Sequence, residues 1–564
     1  MFNKKRVLSV LLVIAIVLIL VPFSSADAVK TVDIITFNDF HGNLAEDVSE
    51  WGKNLGMSKF IGKINEMKAL NPDSIVVSGG DNYQGTAMSN LTYGEPVSKM
   101  FQALDVKVSA IGNHEFDWGT SYIENWATDG GFDYLASNIY DTATNEPVTW
   151  AKPYVIVEKG GINVAFIGLA HPDTVTLTKI ENVSGLEFRD PVVAAQEWID
   201  FLLAGNAPEG TPDVIIAVTH LDSKADYDTG EISGNAVTLA NGVTGLDGIV
   251  SAHSHQRVSG DINGVAIVQA YKYGRSIGLL SIELDADNKV IDVVASLDNA
   301  YKVKSDIIPD TNAESMYTEY YEKLSPILNE KIGTAAGEFT HGKELPNVTV
   351  LGQWVCEVMA EQTNTQIGIQ NGGGLRRTML EGDIVMGDLY EIMPFDNTLV
   401  TFDLLGKDLK STIDHGILNP DIGDGSFSGL NIVYNPNAEF ESRLVDITLT
   451  DGTPIEDDTY YSVVANDFMF TGGDKYNFTN AKNDVNTYVP IRDSLVSAIK
   501  SSGTITPKEV ASVTELECYT IVNGDMLWKI AKNNNTNYQA LAKYNDLSNP
   551  NLIFAGNTLL VPAK

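Results

Sequence analysis

The sequence is short of cysteine and of basic residues, and each shortage excludes a class of protein. Only two cysteines, Cys356 and Cys518, occur in 564 residues, so neither a disulfide framework nor a cysteine-based zinc site can be built. Lysine and arginine together number 38 against 74 aspartates and glutamates, a formal net charge of −36. Because affinity for a phosphate backbone comes from basic side chains, this balance argues against a nucleic-acid polymer as partner and leaves divalent metals open.

The remaining composition is that of an ordinary globular protein. Hydrophobic residues make up 44% of the chain and aromatic residues 9%, which excludes the disordered class. The length is roughly four times that of a typical domain of ~150 residues, and therefore predicts two to four domains.

The longest apolar run lies at the N-terminus. Lys4, Lys5 and Arg6 precede the apolar residues 7–23, and a small-residue A-x-A site ends at Ala28. This order is typical of a secretory signal peptide, so we expect residues 1–28 to be cleaved off and the mature protein to have no stable membrane span. The alternative is an uncleaved anchor, because about 17 apolar residues are near the minimum that crosses a bilayer. Both interpretations predict export.

The rest of the chain shows a pattern of layered α/β domains. Short apolar runs alternate with helical stretches from about residue 31 to 299, and a second mixed region covers about 335–500. The runs predicted to be strands are Val32–Phe37, Ile75–Ser78, Val108–Ile111, Val164–Leu169, Val214–Thr219 and Leu246–Ser251. Apolar residues at helical spacing predict a connecting helix between about 313 and 332, which Pro326 is expected to kink.

Side chains of the metal-binding type follow five of these strands. In chain order they are Asp39 and His41; Asp81; Asn113, His114 and Asp117; His220; and His253 and His255. The carboxyl ends of strands in an α/β sheet meet along one edge, so we expect these side chains to share one site. A lone histidine at a strand end would be read as structural, whereas five ordered clusters favour a metal site.

The types of ligand atom limit which metal ions the site would bind. Nitrogen and oxygen ligands without a thiolate suit Mn, Zn, Fe or Co better than Mg or Ca. Seven ligands are too many for one open site and suit two divalent ions that share a carboxylate. Asp81 is placed to be shared, because it follows Gly79-Gly80, where the backbone can approach closely.

The order D-x-H, G-G-D, G-N-H-E-x-D, H and H-x-H resembles that of the calcineurin-like metallophosphoesterases, and residues 38–42 and 112–117 are similar to their 5′-nucleotidase branch. The resemblance implies a four-layer β-sandwich flanked by helices at 29–305, a connecting helix or hinge at 306–334, and a mixed α/β nucleotide-binding domain at 335–505. It implies one metal ion held by Asp39, His41, Asp81 and His255, and a second held by Asp81, Asn113, His220 and His253. His114 and Asp117 resemble the family's catalytic pair.

The second region resembles the substrate-binding half of the same family. Residues 371–376 are similar to a Gly-rich segment whose arginine, here Arg376, contacts the nucleotide; the alternative is a glycine turn with a solvated arginine. Residues 466–474 resemble the segment in which Phe468 would stack on the base and Asp474 would bind the ribose hydroxyls. The family's second stacking aromatic corresponds to Phe427, and Asn397 is a further candidate for binding. We expect the two domains to close around the substrate.

The tail resembles a LysM module. Residues 519–531 and 549–562 are similar to its beginning and end, which predicts a βααβ unit at 518–563. The resemblance implies binding to N-acetylglucosamine-containing glycan, chiefly peptidoglycan; the alternative is a small packing module without a ligand. A signal peptide and a wall-binding tail together predict a secreted bacterial enzyme that is associated with the cell wall.

The leading hypothesis is therefore an exported 5′-nucleotidase that uses two divalent metal ions to hydrolyse nucleoside 5′-phosphates to nucleoside and phosphate. One alternative keeps the chemistry but acts mainly on 2′,3′-cyclic nucleotides or UDP-sugars. The other is a wall-binding surface protein without enzymatic activity. We predict His171, His341 and His415, which fall outside the clusters, to be structural or surface residues.

Overall fold

The computed structural model describes residues 29–48, 52–226, 229–342, 348–420, 422–510 and 512–563, so the predicted signal peptide lies outside the described residues. Within these ranges, no helix combines the length and the apolar character that a membrane crossing requires.

The first domain contains most of the strands and eight α-helices. Its strands are β1 (Lys30–Phe37), β2 (Ser74–Ser78), β3 (Val106–Ala110), β4 (Asp133–Leu135), β5 (Ile139–Asp141), β6 (Glu146–Pro147), β7 (Tyr154–Lys159), β8 (Ile162–Leu169), β9 (Leu186–Phe188), β10 (Val214–Asp222), β11 (Lys224–Ala225), β12 (Ile232–Ser233), β13 (Gly248–Ala252), β14 (Arg257–Ile262), β15 (Val265–Ala270), β16 (Ile277–Leu284) and β17 (Val290–Asp298). Its helices are α1 (Gly56–Leu70), α2 (Ala87–Leu91), α3 (Glu95–Leu104), α4 (Ile123–Gly130), α5 (Thr174–Leu177), α6 (Ile180–Val183), α7 (Pro191–Leu203) and α8 (Asn235–Gly242).

Two six-stranded sheets form the centre of this domain. Their strand orders are β17-β16-β1-β2-β3-β4 and β14-β15-β13-β10-β8-β7. The pairs β1–β2, β2–β3 and β3–β4 are parallel, as are β8–β10, β10–β13 and β13–β15. All six strands predicted from apolar runs are present, as β1, β2, β3, β8, β10 and β13.

The central strands of the two sheets are buried on both faces, which explains why they are almost continuously apolar, whereas the outer strands β7, β14 and β17 are partly exposed. In β1, Val32 and Ile34 belong to the core between the sheets, whereas Ile35 and Phe37 face the helices outside. Helices α1, α3 and α4 cover the first sheet, and α7 and α8 cover the second. The order helix, sheet, sheet, helix is the predicted four-layer sandwich.

The connecting helix α9 (Thr311–Leu328) begins after Asp310, whose side chain accepts hydrogen bonds from the backbone N–H groups of Asn312 and Ala313. It packs on α1 and α3 of the first domain. The predicted helix extended to about residue 332. The helix instead continues through Pro326 and ends two residues later, because a proline in the last turn removes one of the final backbone hydrogen bonds.

The second domain is also mixed α/β. Its strands are β18 (Lys331–Ala335), β19 (Ile367–Gln370), β20 (Gly382–Val385), β21 (Thr398–Leu405), β22 (Ser426–Ser428), β23 (Leu430–Tyr434), β24 (Leu444–Leu449), β25 (Tyr460–Asn466), β26 (Lys482–Pro490) and β27 (Thr504–Ile505). Its helices are α10 (Val350–Thr363), α11 (Met386–Ile392), α12 (Gly406–Gly416), α13 (Asp467–Phe470) and α14 (Ile491–Ser502). A five-stranded sheet of order β22-β19-β25-β21-β26 separates two hydrophobic cores, with Val463 in one and Val464 in the other.

The tail is a small βααβ unit of β28 (Val513–Thr520), α15 (Leu527–Asn533), α16 (Tyr538–Tyr544) and β29 (Thr558–Pro562). β28 and β29 pair antiparallel over a core that includes Ile530 and Leu541. β28 begins before residue 518, and its first residues pair in parallel with β23, so that one sheet of order β24-β23-β28-β29 belongs to both units.

A close contact between the two sheets of the first domain generates a prediction. A Cβ at Gly168 in β8 would lie 2.2 Å from the Cβ and from the carbonyl carbon of Leu135 in β4. Gly168→Ala should therefore destabilise the protein by about 1–3 kcal/mol, because the added methyl group forces the sheets apart. Chemical unfolding measures this difference. An unchanged unfolding midpoint would show that the sheets separate here without cost.

Candidate functional site

The predicted metal ligands lie in loops that follow β1, β2, β3 and β13 and at the end of β10. His220 lies within β10 rather than after it, because β10 extends to Asp222 across an irregularity in its pairing with β13. Two groups of potential ligand atoms result, one of Asp39, His41 and His255 and the other of Asp81, His220 and His253, and the atoms of each group lie within 4.8 Å of one another.

In the first group, the Nε2 atoms of His41 and His255 are 3.2 Å apart, and His255 Nε2 is 3.3 Å from Asp39 Oδ1. Asp39 is fully buried, and its other oxygen accepts hydrogen bonds from the backbone N–H of His253 and the side-chain amide of Asn38. Oδ1 has no hydrogen-bond partner among the described residues. A buried carboxylate oxygen in this state is available to a cation.

In the second group, Asp81 Oδ2 is 3.1 Å from His220 Nε2, which in turn is 3.3 Å from His253 Nδ1. The same Oδ2 is 3.9 Å from His41 Nε2 of the first group, so this carboxylate lies between the two groups. The side-chain oxygen of Asn113 is also buried and has no hydrogen-bond partner in the described part of the chain, while its amide nitrogen donates to the carbonyl of Leu177.

Backbone hydrogen bonds fix which nitrogen of two rings faces the site. His41 Nδ1 lies 2.9 Å from the carbonyl oxygen of Gln84, and His220 Nδ1 lies 2.8 Å from that of Gly79. Each Nδ1 therefore carries the proton that is donated to a carbonyl, which leaves the Nε2 lone pair for a ligand.

The loops that carry the ligands are strained. Five non-glycine ligand residues have φ between +50° and +68°, namely Asp39, His41, Asp81, His253 and His255. Residues other than glycine rarely adopt this left-handed backbone conformation. Such strain is found mainly at functional sites, where the surrounding structure maintains it.

His114 lies beside the two groups and is paired with Asp117. Its Nδ1 is 2.8 Å from Asp117 Oδ2, and Thr178 donates a hydrogen bond to the other oxygen of the same carboxylate. Burial disfavours the charged ring, but the carboxylates of Asp117 and Asp81 outweigh burial, and the pKa of His114 is raised. The pair thus favours a protonated imidazole facing the ligand groups.

A cavity of about 710 Å³ opens over this cluster and is lined by both domains. The first domain contributes Asp81, Asn113, His114, His253 and His255 to its wall. The second domain contributes Arg376, Phe395, Asn397, Phe468 and Asp474. A volume of this size is within the usual range of ligand pockets.

Several contacts hold the two domains together around the cavity. The ring of Phe395 is stacked 5.6 Å from that of His114, at an interplanar angle of 25°. Lys179 of the first domain pairs with Asp467 of the second at 3.0 Å, and Lys475 of the second pairs with Asp173 of the first at the same distance. The two domains are therefore in direct contact on both sides of the cavity.

Comparison with known proteins agrees with this architecture. Residues 33–257 match the family model of the calcineurin-like phosphoesterases, residues 331–481 that of the 5′-nucleotidase C-terminal domain, and residues 519–562 that of the LysM domain. The first domain therefore belongs to the calcineurin-like phosphoesterases, and the second is a 5′-nucleotidase C-terminal domain. By class the protein is a metal-dependent phosphoric ester hydrolase.

Individual relatives align with most of this chain. Endonuclease YhcR of Bacillus subtilis is 31% identical over 467 residues, which cover 78% of this chain but only 37% of that relative. Protein UshA of Yersinia enterocolitica is 26% identical and covers 80% of this chain and 87% of its own length. The crystal structure of a 5′-nucleotidase precursor from Thermus thermophilus superposes with a TM-score of 0.75 at 23% identity, over 86% of this chain and 99% of its own, and supports the fold.

Calcineurin-like phosphoesterases use a dinuclear metal, and the donor set of this chain fits one. Among the described residues, no group donates a hydrogen bond to the buried Oδ1 atoms of Asp39 and Asn113, and a bound cation would satisfy both oxygens. The pKa of Asp39 is raised to about 7, chiefly because burial disfavours the charged carboxylate; His220 opposes this shift, and repulsion from Asp81 adds to it.

Four of the five predicted substrate-binding residues, Arg376, Asn397, Phe468 and Asp474, lie in the cavity wall, and Phe427 does not. Phe427 is buried in the hydrophobic core, because β22 pairs it with Ile369 of β19 and directs its ring toward Gly416 and Gly425. The prediction that Phe427 stacks on a base does not fit this placement. Phe440, at the tip of the β23–β24 hairpin, lines the cavity instead.

The sequence analysis also missed residues that the fold brings to the site. His171 and His415, predicted to be structural or surface residues, both line the cavity; the ring of His171 lies 4.9 Å from that of His253, and His415 contacts Phe440 and the carbonyl of Asp474. No signal in the sequence marks them, because neither belongs to a motif. His341 is structural, as predicted, and bonds the carbonyls of the Gly-rich segment.

Glu115 belongs to a recognised motif but was given no role. Its carboxylate accepts hydrogen bonds from the backbone N–H groups of Asp81 at 2.8 Å, Asn82 at 2.9 Å and Gly112 at 2.7 Å. Burial, with the help of Asp81, raises the pKa of Glu115 to about 7. One buried side chain thus joins the loop of the shared carboxylate to the loop of Asn113.

Glu115→Gln should weaken metal binding about 10- to 100-fold, because the amide group cannot accept hydrogen bonds at both of its atoms and the Asp81 loop loses its support. Calorimetric titration of the chelator-stripped protein with Mn²⁺ or Zn²⁺ measures the affinity. Glu124→Gln, an exposed glutamate on α4, is the matched control. Equal affinities in the folded variants would contradict a positioning role.

Proposed function

We propose that this protein is an exported nucleotide phosphohydrolase, a 5′-nucleotidase that hydrolyses nucleoside 5′-phosphates to nucleoside and phosphate and is retained at the bacterial cell wall by its LysM domain. The observation that carries the proposal is the shared cavity. Its wall contains members of both groups of candidate metal ligands (Asp81, His253 and His255), contributed by one domain, and an aromatic ring, a carboxylate and an arginine contributed by the other. Phosphate, base and ribose of one nucleotide each find a suitable partner there.

The residues that would hold the metals are those of the two groups. Asp39, His41 and His255 would bind one divalent ion, and His220, His253 and Asn113 the other, with Asp81 shared. When bound, such a pair supplies positive charge to phosphoryl oxygens and acidifies water. Nitrogen and oxygen donors without thiolate suit ions of the Mn, Zn, Co or Fe type.

His114, paired with Asp117 in the cavity wall, would act on the phosphoryl group from a position beside the metal ligands. The hydrogen bond to Asp117 orients the imidazole and occupies Nδ1. The Nε2–H group is then the one that can stabilise negative charge on the phosphoryl oxygens or donate a proton to the leaving 5′-oxygen. Phe395 covers one face of the ring and so keeps water away from it.

The second domain would bind the nucleoside. Phe468 offers an apolar ring face to the base, and Asp474, whose Oδ2 is held by the amide of Asn371 at 2.6 Å, offers a carboxylate to the ribose hydroxyls. Phe440 is the second aromatic side chain in reach of a base. Arg376 stands 5.8 Å from the ring of Phe395 and brings positive charge toward the metal ligands.

The LysM resemblance supports binding to N-acetylglucosamine-containing glycan, chiefly peptidoglycan, and the N-terminal sequence pattern supports export. A relative named Protein UshA aligns with 80% of this chain. A wall-bound nucleotidase would act on nucleotides outside the cytoplasm.

The wild-type protein loaded with Mn²⁺ should release phosphate from AMP, and chelation should reduce that rate at least about 100-fold until metal is returned. Chromatographic analysis of the products formed from AMP, 2′,3′-cyclic AMP, UDP-glucose, p-nitrophenyl phosphate and single-stranded DNA measures the preference, because hydrolysis of a diester need not release free phosphate. Activity restricted to cyclic AMP or UDP-glucose would favour the alternative substrates. Absence of metal-dependent hydrolysis of every compound would leave a wall-binding protein.

His114→Ala should lower kcat about 10²- to 10⁴-fold while the metal content stays unchanged, because the imidazole acts on the phosphoryl group and is not a ligand. Elemental analysis of the purified variant measures the metal, and Asp117→Asn should change kcat in the same direction through misorientation of the ring. Loss of metal from His114→Ala would assign the histidine to the metal ligands instead.

A further inference from the structure

The C-terminal module is joined to the second domain by a sheet and not only by the chain. β28 has two neighbours along its length: Val513, Thr514 and Glu515 pair in parallel with β23, and residues 516–520 pair antiparallel with β29. The backbone N–H of Ile432 in β23 donates to the carbonyl of Ser512 at 2.7 Å. The first three residues of β28 therefore pair with a strand of the second domain, and the remaining residues pair with a strand of the module.

Side chains reinforce this junction. The hydroxyl group of Tyr434 in β23 donates a hydrogen bond to the carboxylate of Glu515, and Tyr434 is fully buried. On the other strand of the hairpin, Asp446 forms an ion pair with Lys543 of α16 at 2.6 Å. Both strands of the β23–β24 hairpin are thus attached to the module.

Among the described strands, β28 is the only one besides β24 that pairs with β23. The sheet order is β24-β23-β28-β29, so without β28 the strands β23 and β24 would form an isolated two-stranded ribbon. Such ribbons are marginally stable in water unless a further strand or a packed face supports them. One face of the hairpin does pack on the core of the second domain through Ile432 and Ile447, and β28 supplies the missing edge.

The tip of the same hairpin, residues 435–443, forms part of the cavity wall. Phe440 and Glu441 line the cavity, and Glu441 is 2.9 Å from Nδ1 of His415, whose Nε2 contacts the carbonyl of Asp474. The ring of Phe440 lies 5.7 Å from the ring of His415. The position of this aromatic side chain therefore follows the position of the hairpin.

We propose that the LysM module is a structural part of the nucleotide cavity: it completes the sheet that holds the β23–β24 hairpin and thereby positions Phe440 against the bound base. Phe440 and the residues that contact it belong to the second domain, whereas the candidate metal ligands belong to the first. A loosened hairpin should weaken substrate binding, raise KM and leave kcat unchanged, because the reacting phosphate is held by the other domain. The kinetic half of this inference rests on the proposed nucleotide function.

Thr514→Pro in the full-length protein tests the proposal, because residue 514 pairs with β23 and lies outside the β28–β29 ladder. Proline removes a backbone N–H and is poorly tolerated inside a sheet. We expect the KM for AMP to rise about fivefold with kcat within about twofold. Hydrogen exchange of residues 435–443 should accelerate, while that of residues 558–562 stays slow. Thr514→Val, which keeps a β-branched side chain and the N–H, is the matched control and should match the wild type.

A second pair of variants covers the case in which Thr514→Pro does not fold. Lys543→Ala removes the ion pair to Asp446, and Lys532→Ala removes the same charge from an exposed site on α15. Faster exchange of residues 435–443 in Lys543→Ala alone would support the proposal.

The proposal is wrong if exchange in β23 accelerates in Thr514→Pro while exchange of residues 435–443 and KM both stay as in the wild type. It is equally wrong if Thr514→Pro does not fold and Lys543→Ala leaves exchange of residues 435–443 unchanged. If the wild type hydrolyses no nucleotide, the proposed function fails, whereas the exchange measurements still decide whether the module positions the hairpin.

Discussion

The carboxylates of Asp39 and Asp81 are both buried and lie against four histidine rings, and negative charge confined in this way requires a cation nearby. Much of the first domain serves to keep these groups together. Its parallel strands bring their loops to one place, backbone carbonyls orient the rings, and Glu115 joins two of the loops. The left-handed backbone of five ligand residues is the conformational cost of this convergence.

The same electrostatic constraint accounts for how an acidic protein can bind an anion. The net charge is −36, and the cavity wall itself carries seven carboxylates (Asp81, Asp117, Asp173, Asp222, Asp396, Glu441 and Asp474) against four basic side chains (Lys179, Lys224, Arg376 and Lys475). Protein side chains alone would repel a phosphate group. The positive potential that a nucleotide needs has to come from ions held by the two ligand groups, with Arg376 in support.

The sequence predicts the features of this structure that depend on neighbouring residues, and it does not predict those that depend on contacts between segments distant in the chain. The strands of the first domain follow from local apolar runs, and the ligand positions follow from short motifs at their ends, because the fold of parallel strands brings those ends together. Phe427 and Phe440 show where this reasoning stops. Both are aromatic residues near a turn. Phe427 is buried because β22 pairs with β19, whereas Phe440 reaches the cavity because it lies at the tip of a hairpin.

Glu115 and the start of β28 show the same limit. The motif around Glu115 is visible in the sequence, but its role depends on backbone N–H groups of a loop more than 30 residues away. The pairing of residues 513–515 with β23 joins segments about 80 residues apart, and no local pattern encodes it. Contacts of this kind form only in the folded protein, between segments that are distant in sequence.

The shared sheet has a consequence for proteolysis. The segment between β27 and β28 is short, from residue 506 to residue 512, and it is the covalent link between the second domain and the module. A protease that cuts there severs the chain but not the hydrogen bonds between β23 and β28, nor the ion pair of Lys543 with Asp446. After such a cut, these non-covalent contacts are the remaining attachment of the module that the described residues show.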